Sequence, residues 1–458
     1  MIPSAFPVRL QTSMAPARAL SVTRQSLRQY PTTTVERFLL MAIAVLMPLE
    51  DQIPTVAGFS SMFILFAVLA GYVILYRLRA LARMWSHPVF LSVYVLLTVG
   101  GVIEFSHPYA SYSEIFRLGL MIAGAIFVAS LCRDRQALRA NMYGLLVAGI
   151  WMSVLLFLTT YGVLRGATAT GFGEASKIRV AVSEDIPLES NLNGMARIAA
   201  QGAVVAVALA LAAKSARRRK LFLGITLFCL VAAFLPMSRS GVAIAGIACA
   251  TVMFKYGVNI RVIIAAAVLG VGILVWVPNV VFSRLTFSTE AHRGKMESRA
   301  RVYTAAVKHL PEYILTGVGV GNFWGPWGMH SQFGKHSGVS GAHNGFVQVT
   351  IYWGLAGLAA LLAVVWQAYH CLPQRCGADE LSLCLLGITV VVFLAIFAAH
   401  DLTSKILSLV LGTLVGARCW IWPQGVVQSV SRKHRRYYLQ PAIVPSREPM
   451  KWRSHADS

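Results

Sequence analysis

Several short motifs in this 458-residue chain place phosphate-holding and proton-moving residues at the borders of apolar runs. Ser238-Arg239-Ser240-Gly241 separates two such runs. An arginine there costs a few kcal/mol if it lies deep in lipid, so it pairs, faces a polar cavity or snorkels to the interface. Arg299-Ala-Arg301-Val-Tyr303 opens a stretch that continues through Ala305, Ala306, Val307 and Leu310 to Pro311. Its apolar residues repeat at helical spacing, which predicts a short helix lying at a membrane surface. Thr316 to Phe323 alternates glycines at 317, 319 and 321 before Asn322. That pattern suits a tight turn able to approach a phosphate or sugar closely. It is not a dinucleotide fingerprint, because no βαβ unit surrounds it. Ala342-His343-Asn344-Gly345 opens a further apolar run. An imidazole titrates near neutrality, so His343 can take a proton from a sugar hydroxyl or simply be solvated.

Two more groups belong to the same reading. Asn191-Leu192-Asn193-Gly194 opens another run, with Arg179 upstream. Glu184, Asp185 and Glu189 either bind a cation or balance Lys177 and Arg179, and no metal-ligand spacing emerges. Between 278 and 342 the chain carries Arg284, Arg293, Lys295, Arg299, Arg301, Lys308 and Lys335 against only Glu290, Glu297 and Glu312. Such a loop is either plainly solvated or partnered by an anion, for which a lipid head group or a diphosphate is the natural candidate.

The elements that position these residues follow from composition. Hydrophobic residues make up 57% of the chain and charged residues 13%, with a mean hydropathy of +0.64. A soluble protein is about one quarter charged. Apolar stretches of about 18 residues imply helices that satisfy their own backbone in lipid. The fold class is therefore an all-α polytopic membrane protein. Hydropathy predicts twelve spans at 37–54, 57–76, 88–105, 115–131, 142–163, 192–213, 221–237, 241–254, 262–277, 345–370, 381–399 and 406–421. The net charge of +23 does not point to nucleic acid, because most Lys and Arg sit in short clusters between the runs, as topology signals do. Arg77/Arg79/Arg83, Arg133/Arg135/Arg139, Lys214/Arg217/Arg218/Arg219/Lys220 and Lys255/Arg261 fall on one side, with 50–52 and 106–113 free of Lys and Arg on the other. This alternation puts both termini in the cytoplasm. The expected organisation is a basic tail at 1–36, spans 1–9 over 37–277, a large periplasmic loop at 278–342, spans 10–12 over 343–422, and a basic tail at 423–458. The seven cysteines fall in spans or predicted cytoplasmic segments, so no disulfide framework is expected.

In this order, the motifs resemble the O-antigen ligase and O-antigen polymerase family of bacterial envelope glycosyltransferases, which includes exopolysaccharide polymerases. The resemblance covers roughly Asn191 to Val365 and adds Gly354-Leu-Ala-Gly357 to the motifs above. It implies an inner-membrane enzyme that moves a glycan from undecaprenyl diphosphate to an acceptor hydroxyl, on lipid A core or on another lipid-linked repeat. Membrane lipids and other polysaccharide assembly proteins are the implied surroundings. Neither a metal, another cofactor nor a nucleotide sugar is expected. Arg239 and Arg299 then correspond to the arginines that hold the diphosphate, and His343 to the histidine that activates or positions the acceptor. Arg179, Arg301, Asn191, Asn193, Ser238, Asn322 and Asn344 fall into place as substrate-binding residues. Tyr303 departs from the tryptophan more usual there. The chemistry agrees, since guanidinium groups meet a diphosphate leaving group with two-pronged hydrogen bonds where charge develops. Two other classes compete: a lipid-linked oligosaccharide flippase or other transporter, and a membrane scaffold whose loop binds acidic lipid.

Overall fold

The computed structural model describes residues 31–52, 61–160, 192–235, 239–264, 302–331, 342, 344–373, 379–398 and 405–422. Among them all regular structure is helical. The long helices are α1 (Thr34–Leu46), α2 (Ser61–Trp85), α3 (Pro88–Ser106), α4 (Ser113–Leu131), α5 (Arg135–Thr160), α6 (Leu192–Ala212), α7 (Ala216–Phe234) and α8 (Arg239–Tyr256). Short helices α9 (Leu310–Tyr313), α10 (Val320–Trp324) and α11 (Pro326–His330) follow, then α12 (Gly345–Cys371), α13 (Glu380–Ala398) and α14 (Lys405–Gly416). Among the described residues, seven helices are long and apolar enough to cross a membrane: α2 to α6, α12 and α13. Helices α1, α7, α8 and α14 occupy other expected spans; of 262–277 only residues 262–264 are described, and they are helical.

At several basic ends the helices run further than hydropathy places the spans. The fifth helix begins at Arg135 rather than 142, the seventh at Ala216 rather than 221, and α2 runs on to Trp85. Basic residues expected in loops, such as Arg139 and Arg217 to Lys220, therefore lie in the helices' ends. Intrahelical hydrogen bonding continues past the hydrocarbon edge, and long basic side chains reach water from there.

Helix α6 is the hub, packed against α5, α7, α8 and α13. Its small residues let neighbours come close: a Cβ built on Gly149 of α5 would stand 2.4 Å from Gly202 Cα. Without a hydrophobic driving force between helices in lipid, such backbone contact carries much of the association.

Consecutive helices alternate in direction, giving the bundle two ends. One end carries the basic clusters. There Glu36, fully buried, accepts from Arg77 Nε at 2.5 Å and Arg133 Nη2 at 3.1 Å. Asp134 accepts from the Thr32 hydroxyl at 2.6 Å and the Ala137 N–H at 2.7 Å. Burial opposes its charge, but these bonds hold its carboxyl below the usual range. Arg135 pairs with Asp379 and Arg139 with Glu380, which ties α5 to α13. The opposite end carries residues 302–331 and the start of α12.

Candidate active site

The loop end is built around a break in α12. Trp353 and Gly354 leave helical geometry, with Gly354 at φ +61° and ψ −161°. A break in a membrane helix strands peptide groups that lipid cannot satisfy. Here residues 314–319 satisfy them. The Val318 N–H donates to Ile351 O at 2.9 Å, the Gly319 N–H to Tyr352 O at 2.9 Å, and the Leu355 N–H to Ile314 O at 2.7 Å. The alternating glycines make this contact possible. A Cβ on Gly317 (φ +71°) would lie 2.3 Å from Tyr352 O, and one on Gly321 would lie 1.6 Å from Tyr109 O. Residues 317–320 are all buried. The close approach expected toward a phosphate is thus made toward the protein's own backbone.

Glu104, in the last turn of α3 and fully buried, completes the joint. Its carboxylate accepts from the Val320 N–H at 2.5 Å and the Ser111 N–H at 3.1 Å. It thereby satisfies the first N–H of α10, where a helix has donors without internal partners and favours negative charge. The α3–α4 turn, read from sequence only as lacking basic residues, is one wall of this end.

Asn344 N-caps α12: its side-chain oxygen accepts from the Phe346 N–H at 2.9 Å and the Val347 N–H at 3.2 Å, and the residue is buried. Expected as a substrate ligand, it has its Oδ1 committed to starting the helix that follows His343. Asn322 sits half-buried in α10, Arg239 is the first residue of α8, and Asn193 lies in the first turn of α6. These expected residues share the loop end. Arg179, Asn191, Ser238, Arg299, Arg301 and His343 lie outside the described residues.

The expected amphipathic helix is present over residues 302–308. Val302, Ala305 and Ala306 are buried, whereas Tyr303 and Val307 are exposed. Beyond it lies a cluster missed in the sequence reading. His309 Nδ1 stands 2.7 Å from Glu312 Oε1, and the Trp327 indole N–H donates to Glu312 Oε2 at 2.8 Å. The hydrogen bond with His309, added to that from Trp327, holds the Glu312 carboxyl below its ordinary value. The i,i+3 spacing of His309 and Glu312 was the available signal.

Helix α6 holds a second missed pair. Arg197 and Gln201 are 9% and 3% exposed, and Gln201 Oε1 has no hydrogen-bond partner among the described residues. At 1.5 Å per residue they lie about 7 and 13 Å from the loop end of the helix. An arginine inside an otherwise apolar span was legible as a functional candidate by its cost alone.

Residues 224–362 match the sequence model of a family described as O-antigen ligase. No curated protein matches the chain significantly. The matched stretch runs from within α7 to within α12 and so contains the α8 start, the loop-end helices and the broken helix. Glu104 and Arg197 fall before it.

Proposed function

From a multi-pass membrane chain carrying an O-antigen ligase domain, we propose a glycosyltransferase that takes its glycan from undecaprenyl diphosphate. Arg239 and Arg299 hold the diphosphate, Arg301 and Arg179 add positive charge beside it, and His343 meets the acceptor hydroxyl. The oxygen of that hydroxyl bonds to the anomeric carbon and passes its proton to the His343 imidazole, as the bond from that carbon to the diphosphate oxygen breaks and its electron pair leaves with the lipid diphosphate. Guanidinium groups stabilise the charge developing there. Arg197, nearly buried in the hub helix, is suited to the same anion.

The observation that carries this reading is the location of the matched family domain. Its loop segments close one end of a helical bundle, and that end gathers the start of α8, the start of α12 and the surface helix 302–308. In this reading that end faces the periplasm and both termini lie in the cytoplasm, in keeping with the basic clusters at the opposite end. Residues 278–342 then form the periplasmic loop. The acceptor we favour is another lipid-linked repeat, which makes the enzyme a polymerase.

A deletion strain tests this. Loss of secreted polymer, restored by the wild-type chain, supports the polymerase. Loss of capped lipopolysaccharide with polymer intact makes the protein a ligase instead. Unchanged glycans of both kinds contradict glycan transfer altogether.

A further inference from the structure

Cations at the basic end of the bundle fall into two groups. On one side carboxylates answer them: Arg77 and Arg133 share Glu36, Arg135 meets Asp379 and Arg139 meets Glu380. The corner built by α6, α7 and α8 has no such answer, because the chain holds no Asp or Glu between Glu189 and Glu290. Lys214 precedes α7, Arg217-Arg218-Arg219-Lys220 opens it, and Lys255 lies in the last turn of the neighbouring α8. All six are exposed, and none forms an ion pair among the described residues. Four consecutive cations also meet the positive end of the helix dipole, where an anion is favoured instead. Ser215 already caps α7, its hydroxyl accepting from the Arg218 N–H at 3.2 Å. What is left unanswered is side-chain charge.

Below these cations α7 turns one continuous face outward. Arg217, Lys220, Gly224, Leu227 and Val231 follow at helical spacing, and all are exposed. Leu227 is 62% exposed, and Gly224 has open space where a Cβ would stand. At 1.5 Å per residue, the face from Lys220 to Val231 is about 16 Å long. That is about the hydrocarbon depth of one leaflet, half of roughly 30 Å. Charge above an apolar wall of that length matches both parts of a phospholipid, whereas an acidic protein surface matches only the first.

We propose that this face of α7 binds an anionic phospholipid from the leaflet at the basic end. Arg217 and Lys220 hold its phosphate, and its acyl chains lie along Gly224, Leu227 and Val231. A guanidinium grips phosphate with two N–H groups, and an ammonium adds a point charge. The recess at Gly224 admits the ester region of the lipid directly beneath the cations. Lys255 on α8 strengthens the field that selects a negative head group. The site is independent of the glycan reaction, since it lies at the end opposite residues 302–331.

The test titrates the full-length protein in detergent with phosphatidylglycerol or phosphatidylcholine of identical acyl chains and counts bound lipid by native mass spectrometry. Phosphatidylglycerol is expected to bind about tenfold or more tightly, the scale of two cations beside an anionic head group. Equal affinity for the two lipids overturns the proposal. Displacement of phosphatidylglycerol by an equal concentration of inorganic phosphate also overturns it, because the chains then contribute nothing. Arg217→Gln combined with Lys220→Gln is expected to lose the preference by about tenfold. Arg79→Gln combined with Lys308→Gln removes equal charge from exposed positions off this face, and is expected to keep it. Equal loss in both double variants makes the effect one of net charge and overturns the site, as does no loss in the first. Should the first fail to accumulate, Gly224→Leu decides by filling the recess with every charge in place. Weaker phosphatidylglycerol binding then supports the proposal, and unchanged binding overturns it.

Discussion

Asn344 and Glu104 do the same kind of work by different means. Each places a side-chain oxygen on the first N–H groups of a helix, and in doing so fixes where a helix within the family-matched stretch begins. Glu104→Ala leaves two N–H groups without their acceptor, at roughly 1–3 kcal/mol each. A lower midpoint of thermal unfolding in detergent is the expected result, and an unchanged midpoint shows that water serves as well. The asparagine was legible as a span-opening residue, and an N-cap was one of its ordinary uses. Glu104 was not legible, because its partner Val320 lies 216 positions away and no local pattern announces the contact. The residues proposed to hold the diphosphate and the acceptor make a separate prediction. Arg239→Ala, Arg299→Ala and His343→Ala should each abolish glycan output in the deletion strain while the protein stays in the membrane. Arg239→Lys should also be impaired, since an ammonium lacks the two-pronged geometry. Full output from Arg239→Lys would mean that charge alone suffices.

At the scale of elements, the break in α12 organises the loop end. The sequence reading treated 345–370 as one span and Gly354-Leu-Ala-Gly357 as part of a family pattern. Hydropathy integrates over a window and is blind to two residues that leave helical geometry while the apolar run continues. The alternating glycines were correctly seen as permitting close approach, but glycine spacing says nothing about what is approached. The structure supplies the partner, which is the carbonyls freed at Ile351 and Tyr352. Gly321→Ala drives a methyl group into Tyr109 O, a contact that cannot be accommodated without moving the backbone. Faster protease cleavage between residues 302 and 331 than in wild type is therefore expected. Equal cleavage would show that the α3–α4 turn yields at little cost.

For the molecule as a whole, the repeated apolar runs carried the all-helical, multi-pass class of the fold. Which helix would be the hub was not readable, because α6 is no more apolar than its neighbours. Its central place comes from small residues such as Gly202 that matter only against a partner. At the basic end, Glu36 is enclosed by two arginines, so Glu36→Ala leaves buried positive charge uncompensated. Breaking such a pair costs about 3–5 kcal/mol, expected as a marked fall in the amount of folded protein in membranes. The orientation of the bundle is open to direct labelling. A cysteine at the exposed Met329 should react with an impermeant maleimide from the periplasm, and one at the exposed Arg218 should not. The central claim, glycan transfer from a polyprenyl diphosphate, is tested most directly by reconstituting the purified protein in liposomes with radiolabelled lipid-linked glycan. The account predicts that label moves onto a longer glycan as free undecaprenyl diphosphate appears in equal amount, and that Arg299→Ala stops both. Label that stays on its original lipid carrier in the wild-type reaction would contradict it.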